Sequence, residues 1–213
     1  MSDFRQAFIE FAIERKVLCF GEYKTKAGRL SPYFFNAGLF NDGDALRRLG
    51  QFYAKAILAA EVPFDMLFGP AYKGIPLVNA IAIALAEMGY NHPFCFNRKE
   101  IKDHGEGGNL IGAPLKGRVL IVDDVISAGT SVRESVDLIS MARAKPCGVA
   151  IALDRMERGT NELSAAQEVR QTHDIPVISI ISLNDLTDFL QSNADYNCYL
   201  EAVLQYRQRY GVV

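Results

Sequence analysis

The pattern of apolar and polar positions changes near residue 64. Before that point, residues 3–16 and 44–60 carry apolar side chains at helical spacing. Residues 17–35 alternate and are interrupted by glycine and proline, which predicts strands and turns. We expect residues 1–63 to form a small N-terminal hood packed on the rest of the chain.

From residue 64 onward, short apolar strands alternate with helical segments. Strands are predicted at residues 66–68, 94–96, 118–122, 148–153 and 177–181, and helices at 75–88 and 130–144. The strands are apolar throughout rather than at every second position, which is typical of a parallel sheet covered on both faces. The sequence therefore predicts an α/β core over residues 64–213, and such sheets bind ligands at the carboxyl ends of their strands.

Composition limits the classes of partner and site. The formal net charge is −2, which indicates no general attraction to nucleic acid. The four cysteines and three histidines are scattered without metal-ligand spacing. Unpaired thiols without signal-peptide character predict a cytoplasmic protein. The longest apolar run, residues 75–86, is too short to span a membrane.

Residues 98–109 differ in composition from the rest of the core. This stretch is polar, contains glycines and mixes cations with carboxylates. Such a run is usually a solvated loop, but long loops inside a compact domain often act as lids. We therefore predict a mobile lid over residues 98–109.

The strongest chemical signal lies in residues 119–131. An apolar strand ends in two adjacent carboxylates, Asp123 and Asp124, and a turn of small and hydroxyl residues then opens a helix. Taken alone, two aspartates ending a strand and a helix capped by Ser127 or Thr130 would be ordinary structural features. The whole string instead predicts a phosphate cradle beside carboxylates that suit sugar hydroxyls and magnesium.

This string resembles the phosphoribosyl-pyrophosphate motif of the type I phosphoribosyltransferases. The resemblance implies a Rossmann-like parallel sheet flanked by helices, with a variable hood. It implies that Asp123 and Asp124 hold the ribose hydroxyls of the donor and that residues 127–131 hold its 5-phosphate. The string residues expected to contact the donor are Asp123, Asp124, Val125, Ile126, Ser127, Ala128, Gly129, Thr130 and Ser131.

Three further segments, residues 31–36, 69–76 and 96–108, make nearly the whole chain similar to the bacterial orotate phosphoribosyltransferases. The resemblance implies further donor contacts from Lys26, Tyr72, Lys73, Arg98, Lys99, Lys102 and His104. It implies orotate contacts from Phe34, Phe35, Ser127 and Arg155, and catalytic roles for Lys102, His104 and Asp124.

The residues themselves allow both functional and structural interpretations. In an alternating strand, only one of Phe34 and Phe35 faces inward, so a planar base would give the other a purpose. The guanidinium fork of Arg155, at the end of a strand, suits the carboxylate of orotate, although an Arg–Asp surface pair is an equal alternative. Lys26, Lys73 and the charged lid residues would otherwise be ordinary solvated charges.

The resemblance implies transfer of a phosphoribosyl group from phosphoribosyl pyrophosphate to orotate, with Mg²⁺ as cofactor and no direct protein ligand beyond contacts of Asp123 and Asp124 through water or substrate. It also implies a homodimer whose lid residues serve the neighbouring subunit. Alternatives are another base on the same core, or a regulator that senses the donor. A basic helix or helix-turn-helix segment is not visible, and the Gly-x-x-x-x-Gly-Lys loop of nucleoside triphosphatases is absent.

Overall fold

A computed structural model of the chain describes residues 4–25, 28–102, 108–159 and 162–212, with the backbone alone at residues 100–102 and 108. The strands are β1 (Leu18–Lys24), β2 (Leu30–Phe35), β3 (Met66–Gly69), β4 (Phe94–Lys102), β5 (Gly108–Gly112), β6 (Arg118–Val122), β7 (Lys145–Asp154) and β8 (Val177–Ser182). The α-helices are α1 (Phe4–Glu14), α2 (Gly43–Ala59), α3 (Gly74–Glu87), α4 (Thr130–Met141), α5 (Ala165–His173), α6 (Leu183–Ser192) and α7 (Leu200–Tyr210).

The central sheet has six strands in the order β5-β4-β3-β6-β7-β8. All neighbouring strands run parallel except β4 and β5, which pair antiparallel. The predicted α/β class, with a Rossmann-like sheet flanked by helices, is confirmed. Strand β5 adds one antiparallel edge that the apolar pattern did not predict.

The sheet is buried on both faces, as the uniformly apolar strands predicted. Within β3, Leu67 joins the hydrophobic cluster on one face, while its neighbours Met66 and Phe68 join the cluster on the other. Strand β6 divides in the same way, with Leu120 on the first face and Ile121 on the second. Alternate side chains of a strand point to opposite faces, so a strand with cores on both sides needs apolar residues at every position.

The N-terminal segment contributes to the same core. Helices α1 and α2 share the first of these clusters with β3 and β6, and the β1–β2 hairpin is a separate two-stranded sheet. Gly50 of α2 lies so close to α3 that a Cβ atom there would be 2.5 Å from the carbonyl oxygen of Ala80. The α2–α3 packing therefore depends on a glycine, and the division of the chain at residue 63 stays a prediction.

The prediction of one irregular loop over residues 98–109 is wrong at both of its ends. Strand β4 continues to Lys102 and β5 begins at Gly108, with Asn97 paired to Leu110 and Lys102 to Gly108. Strand pairing uses backbone groups, so two polar segments can form a hairpin without an apolar pattern. Helices α5, α6 and α7 were also not predicted.

None of the helices within the described ranges is long and apolar enough to cross a bilayer.

Candidate active site

The site lies at the point in the sheet where the connections on either side of β3 lead to opposite edges. After β3 the chain continues to β4 on one side, whereas β6 pairs with the other side of β3. The loops that follow β3 and β6 therefore lie side by side at the carboxyl edge of the sheet. A crevice at such a switch point is the usual ligand site of open α/β sheets.

Strand β3 enters its turn through two closely packed glycines. A Cβ atom on Gly69 would lie 2.2 Å from the carbonyl oxygen of Gly74, which no side chain could tolerate. The backbone N–H of Ala71 donates to Oδ1 of Asn97 on β4 over 2.7 Å. The turn is thus held from the neighbouring strand, and it carries Tyr72 and Lys73 at the crevice.

Lys73 and Asp124 connect the two loops directly. The Lys73 ammonium lies 2.5 Å from Asp124 Oδ2, and the lysine side chain is 60% exposed whereas that of Asp124 is 8% exposed. A largely buried carboxylate requires such a partner because loss of hydration penalises its charge. The structure therefore brings Lys73 and Asp124, predicted from separate motifs, into one ion pair.

Asp123 is buried beside Asp124, and hydrogen bonds fix both of its carboxylate oxygens. Its Oδ1 accepts the backbone N–H of Asp124 at 2.9 Å, and its Oδ2 accepts the hydroxyl of Ser131 at 3.0 Å. Burial, with a further contribution from the negative charge of Asp124, raises the pKa of Asp123 to about 6. Asp123 thus takes up a proton more readily than an ordinary aspartate.

A buried tyrosine supports the acidic pair from behind. The hydroxyl of Tyr53 on α2 donates to the carbonyl oxygen of Asp123 over 2.7 Å. Burial and the two neighbouring carboxylates raise the pKa of Tyr53 well above its usual value, so this hydroxyl keeps its proton. A helix of the N-terminal segment therefore fixes the backbone at the end of β6.

The loop from residue 125 to 129 leads into α4, and its first two residues, Val125 and Ile126, pack against the core clusters. Ser127, Ala128 and Thr130 are exposed, and Gly129 has a φ of +69° immediately before the helix. No side chain caps the N-terminus of α4, and Ser131 is instead bonded to Asp123. The structural alternative in which Ser127 or Thr130 caps the helix is therefore wrong, and the first amides of α4 have no side-chain cap.

The two hood phenylalanines face opposite ways on β2. Phe35 packs against the core, whereas Phe34 is 44% exposed and stacks on Tyr23 with ring centroids 5.4 Å apart. The prediction that one of the two points away from the core is confirmed.

Arg155 follows β7 and belongs to a polar network with the hood. Its Nε donates to Glu157 Oε1 over 2.8 Å, its Nη2 donates to the hydroxyl of Ser31 over 3.1 Å, and its guanidinium lies 4.3 Å from the ring centroid of Tyr33. The predicted surface pair of an arginine with an aspartate is wrong because the partner is Glu157. One edge of the guanidinium fork is already used by this carboxylate.

An open cleft of about 350 Å³ runs between the hood and the turn after β3. One wall carries Lys73 and Asp124, and the other is built from residues 37–43 with Leu46 and Leu49 of α2. Phe34, Phe35 and Arg155 lie outside this lining. The structure therefore brings one predicted donor residue from each loop, Lys73 and Asp124, into one cleft, whereas the predicted orotate residues do not line it.

The structure describes only some of the predicted site residues of the lid and hood. Lys26 and His104 lie outside the described residues, and Lys102 is described by its backbone at the end of β4. Lys99 lies beside the turn after β3, with its ammonium 5.2 Å from the ring centroid of Tyr72. Arg98 has a buried Nη1 without a hydrogen-bond partner in the described part of the chain.

Sequence reasoning missed three residues that shape the site: Glu157, Tyr53 and Asn97. Glu157 follows Arg155 by two positions, and that spacing at a strand end was the available signal. Tyr53 and Asn97 act across long sequence separations, and nothing local marks them.

The acidic pair also determines how a metal would be held. Among the described residues, no group of three or more histidines, cysteines and carboxylates could hold an ion. Asp123 and Asp124 supply oxygen atoms, the ligand type that Mg²⁺ prefers, and Mg²⁺ usually completes its shell with water and substrate phosphates. The residues present therefore fit a magnesium ion that is shared with a substrate.

Comparison with known proteins agrees with this geometry. Residues 40–180 match the model of the phosphoribosyl transferase domain family. The chain is 73% identical to the orotate phosphoribosyltransferase of Nitrosospira multiformis over 99% of this chain and 92% of that one, and 66% identical to that of Thiobacillus denitrificans over the full length of both. The crystal structure of orotate phosphoribosyltransferase from Francisella tularensis superposes with a TM-score of 0.88 at 42% identity, covering 96% of this chain and 99% of that one. These identities over nearly the whole chain, together with the family match, show that the chain belongs to the orotate phosphoribosyltransferase family.

Proposed function

We propose that this protein transfers the phosphoribosyl group of phosphoribosyl pyrophosphate to N1 of orotate, giving orotidine 5′-monophosphate and pyrophosphate for pyrimidine synthesis. The observation that carries the proposal is the convergence of Lys73, Asp123, Asp124 and the partly exposed loop 125–129 at one sheet edge. The family membership supplies the substrate pair. We also propose a cytoplasmic location, which the four free cysteines support.

The donor would bind along the carboxyl edge of the sheet. Asp123 and Asp124 accept hydrogen bonds from the ribose hydroxyls, and the amides and hydroxyls of residues 125–131 hold the 5-phosphate. Tyr72, Lys73, Arg98 and Lys99 lie toward the turn after β3 and would contact the pyrophosphate. Lys26, Lys102 and His104 complete the proposed donor contacts. Mg²⁺, when bound, would neutralise charge that builds on the pyrophosphate oxygens.

Orotate would lie between the hood and the end of β7. Phe34 and Phe35 would place the ring, Ser127 would contact it from the loop after β6, and Arg155 would bind its carboxylate. A carboxylate contact of this kind would separate orotate from uracil, because uracil has no carboxylate to bind the guanidinium.

The chemical step requires positioning and charge neutralisation more than covalent help. Breaking the bond between C1 of ribose and pyrophosphate gives an oxocarbenium-like state, which N1 of orotate attacks. Lys102, His104 and Asp124 are the residues we propose to act at the reacting centre. A closed lid would exclude water that would otherwise capture the cation.

The enzyme assay follows loss of orotate absorbance with phosphoribosyl pyrophosphate and magnesium present. Wild-type protein should consume orotate, and adenine or uracil should not replace it. The double variant Asp123→Asn, Asp124→Asn should lose productive donor binding while keeping its circular dichroism spectrum. Near-normal activity of that variant would contradict the proposed site. Consumption of another base in place of orotate would show that this base is the substrate.

We further propose a homodimer in which the lid of one subunit serves the site of the other. Lys102→Ala and Arg155→Ala proteins should each be nearly inactive, and mixing them with subunit exchange should restore activity. If Lys102 acts across the interface, half of the dimers are mixed and each has one intact site, so roughly a quarter of wild-type activity returns. If Lys102 acts within its own subunit, every site keeps one defect and no activity returns, provided that differently tagged subunits confirm exchange.

A further inference from the structure

We propose that Glu157 is a positioning residue for orotate recognition: it holds the guanidinium of Arg155 in one orientation and ties it to the hood hairpin. The inference rests on the proposed function, in which Arg155 binds the orotate carboxylate. It concerns a residue that would touch no substrate and would act through Arg155.

The contacts of Arg155 show how its orientation is set. Oε1 of Glu157 lies 2.8 Å from Nε and 2.5 Å from Nη2, so the carboxylate takes one whole edge of the guanidinium. Ser31 accepts a further bond from Nη2. Nη1 takes no part in these three contacts. Because the guanidinium is planar, fixing the Nε edge also fixes the direction in which Nη1 points.

Glu157 also contacts the hood, which carries the proposed base-binding phenylalanines. The hydroxyl of Tyr33 donates to Oε1 over 3.4 Å, and Nη1 of Arg29 lies 3.9 Å from Oε2. Tyr33 is the neighbour of Phe34 on β2, and Arg29 immediately precedes that strand. One carboxylate therefore connects the end of β7 to the hairpin.

Charge and burial explain why a carboxylate stands at this position. The side chains of Glu157 and Arg155 are 16% and 22% exposed, so their interaction is only partly screened by solvent. One negative charge faces two guanidinium groups, those of Arg29 and Arg155, and a net positive charge remains. That balance keeps Arg155 in place and still attracts a substrate carboxylate.

The backbone is built to direct Glu157 at Arg155. Between the two residues, Met156 has a φ of +51°, a left-handed conformation that turns the chain back on itself. Its N–H donates to Oδ1 of Asp154, and Val212 donates to its carbonyl oxygen. Glu157 pairs with Gly211 at the chain's C-terminal segment. A strained turn fixed from both sides at a ligand-binding edge is typical of a positioned functional group.

The test compares Glu157→Gln with Glu162→Gln, a control change of the same kind at an exposed carboxylate paired with Arg158. Glutamine keeps the shape of Glu157 but loses its charge and one of its two acceptor oxygens. The KM for orotate should rise about tenfold in Glu157→Gln, as expected when a charged hydrogen bond is lost, while the donor KM and kcat stay within about twofold. Glu162→Gln should match wild type.

A double-variant cycle separates positioning from general packing. If Glu157 acts through Arg155, adding Glu157→Gln to Arg155→Ala should not raise the orotate KM further. Equal increases in both KM values, or additive effects in the double variant, would overturn the inference. If Glu157→Gln melts below the assay temperature, Glu157→Asp, which keeps the charge but shortens the reach, should show the same rise confined to orotate.

Failure of the inference and failure of the proposed function give different results. If Arg155→Ala raises the orotate KM and Glu157→Gln does not, Arg155 is positioned without Glu157 and the inference alone is wrong. If Arg155→Ala leaves the orotate KM unchanged, the proposed carboxylate contact is wrong and the inference falls with it.

Discussion

The ammonium of Lys73 lies 2.5 Å from Oδ2 of Asp124, and this pair joins the turn after β3 to the end of β6. Lys73 is largely exposed whereas Asp124 is largely buried. The exposed lysine therefore has room to turn toward a bound anion, provided that another group, such as a ribose hydroxyl, then pairs with the buried carboxylate. A donor that brings pyrophosphate to Lys73 and ribose hydroxyls to Asp124 would replace one ion pair with two sets of contacts.

Lys73→Ala is therefore expected to weaken binding of the donor more than binding of orotate. Loss of one charged contact should raise the KM for phosphoribosyl pyrophosphate roughly ten- to a hundredfold, with a much smaller change for orotate. Steady-state kinetics with each substrate varied in turn measure both values. Lys116→Ala is the matched control because Lys116 is exposed just before β6, at the opposite edge of the sheet. An unchanged donor KM would contradict the proposed role of Lys73.

Asp123→Asn should stabilise the protein at neutral pH. The pKa of Asp123 is raised to about 6 from an ordinary value of 3.8, so the folded protein keeps this proton at a pH where the unfolded chain has lost it. Stability from this group is therefore present at low pH and is lost as pH rises from about 4 to about 6. Asparagine cannot ionise, so the variant avoids this loss of folding stability, which amounts to at most roughly 3 kcal/mol.

The measurement is urea unfolding of wild type and Asp123→Asn at pH 4 and pH 8. The variant should be more stable at pH 8, and the difference should shrink at pH 4, whereas activity should fall. Asp137→Asn, at an exposed position of α4, controls for the change of residue type. A variant that is less stable than wild type at pH 8 would show that the hydrogen bonds to Asp123 outweigh its burial.

Phe34→Ala and Phe35→Ala should separate recognition from stability. Phe34 is exposed and contacts Tyr23, so its removal should raise the orotate KM with less than about 1 kcal/mol lost on unfolding. Phe35 packs against the core, and its removal should cost about 2 kcal/mol or more. Thermal unfolding and orotate kinetics on both variants test the pair. The interpretation fails if Phe34→Ala proves the more destabilising change.

Tyr53→Phe tests the support behind the acidic pair. The substitution removes the hydroxyl that donates to the carbonyl oxygen of Asp123 and leaves that oxygen without this bond in a buried place. We expect a loss of about 1–3 kcal/mol in the free energy of unfolding, together with a higher donor KM. Tyr90→Phe is a suitable control because Tyr90 is half exposed. Equal stability of Tyr53→Phe and wild type would show that this hydrogen bond contributes no net stability.

The sequence was sufficient for the parts of the fold that follow from local periodicity. Apolar strands ending in Gly69 and in Asp123-Asp124 predicted a parallel sheet with its ligand edge at those loops, because burial on both faces demands apolar residues at every position. The hairpin formed by β4 and β5 escaped prediction, since its polar residues pair through the backbone and leave no periodic signal.

The sequence by itself also determined which residue types are candidates for the chemistry: paired acids, a small-residue loop before a helix and a lysine on a tight turn. Tertiary structure alone decided which groups meet. Lys73 reaches Asp124 because β3 and β6 are neighbours in the sheet, and Tyr53 reaches the carbonyl of Asp123 because α2 packs behind that edge. The same holds for Arg155, whose contact with Ser31 spans the hood and the core. Contacts between residues distant in the chain depend on how whole elements pack, and no local pattern of residues encodes that packing.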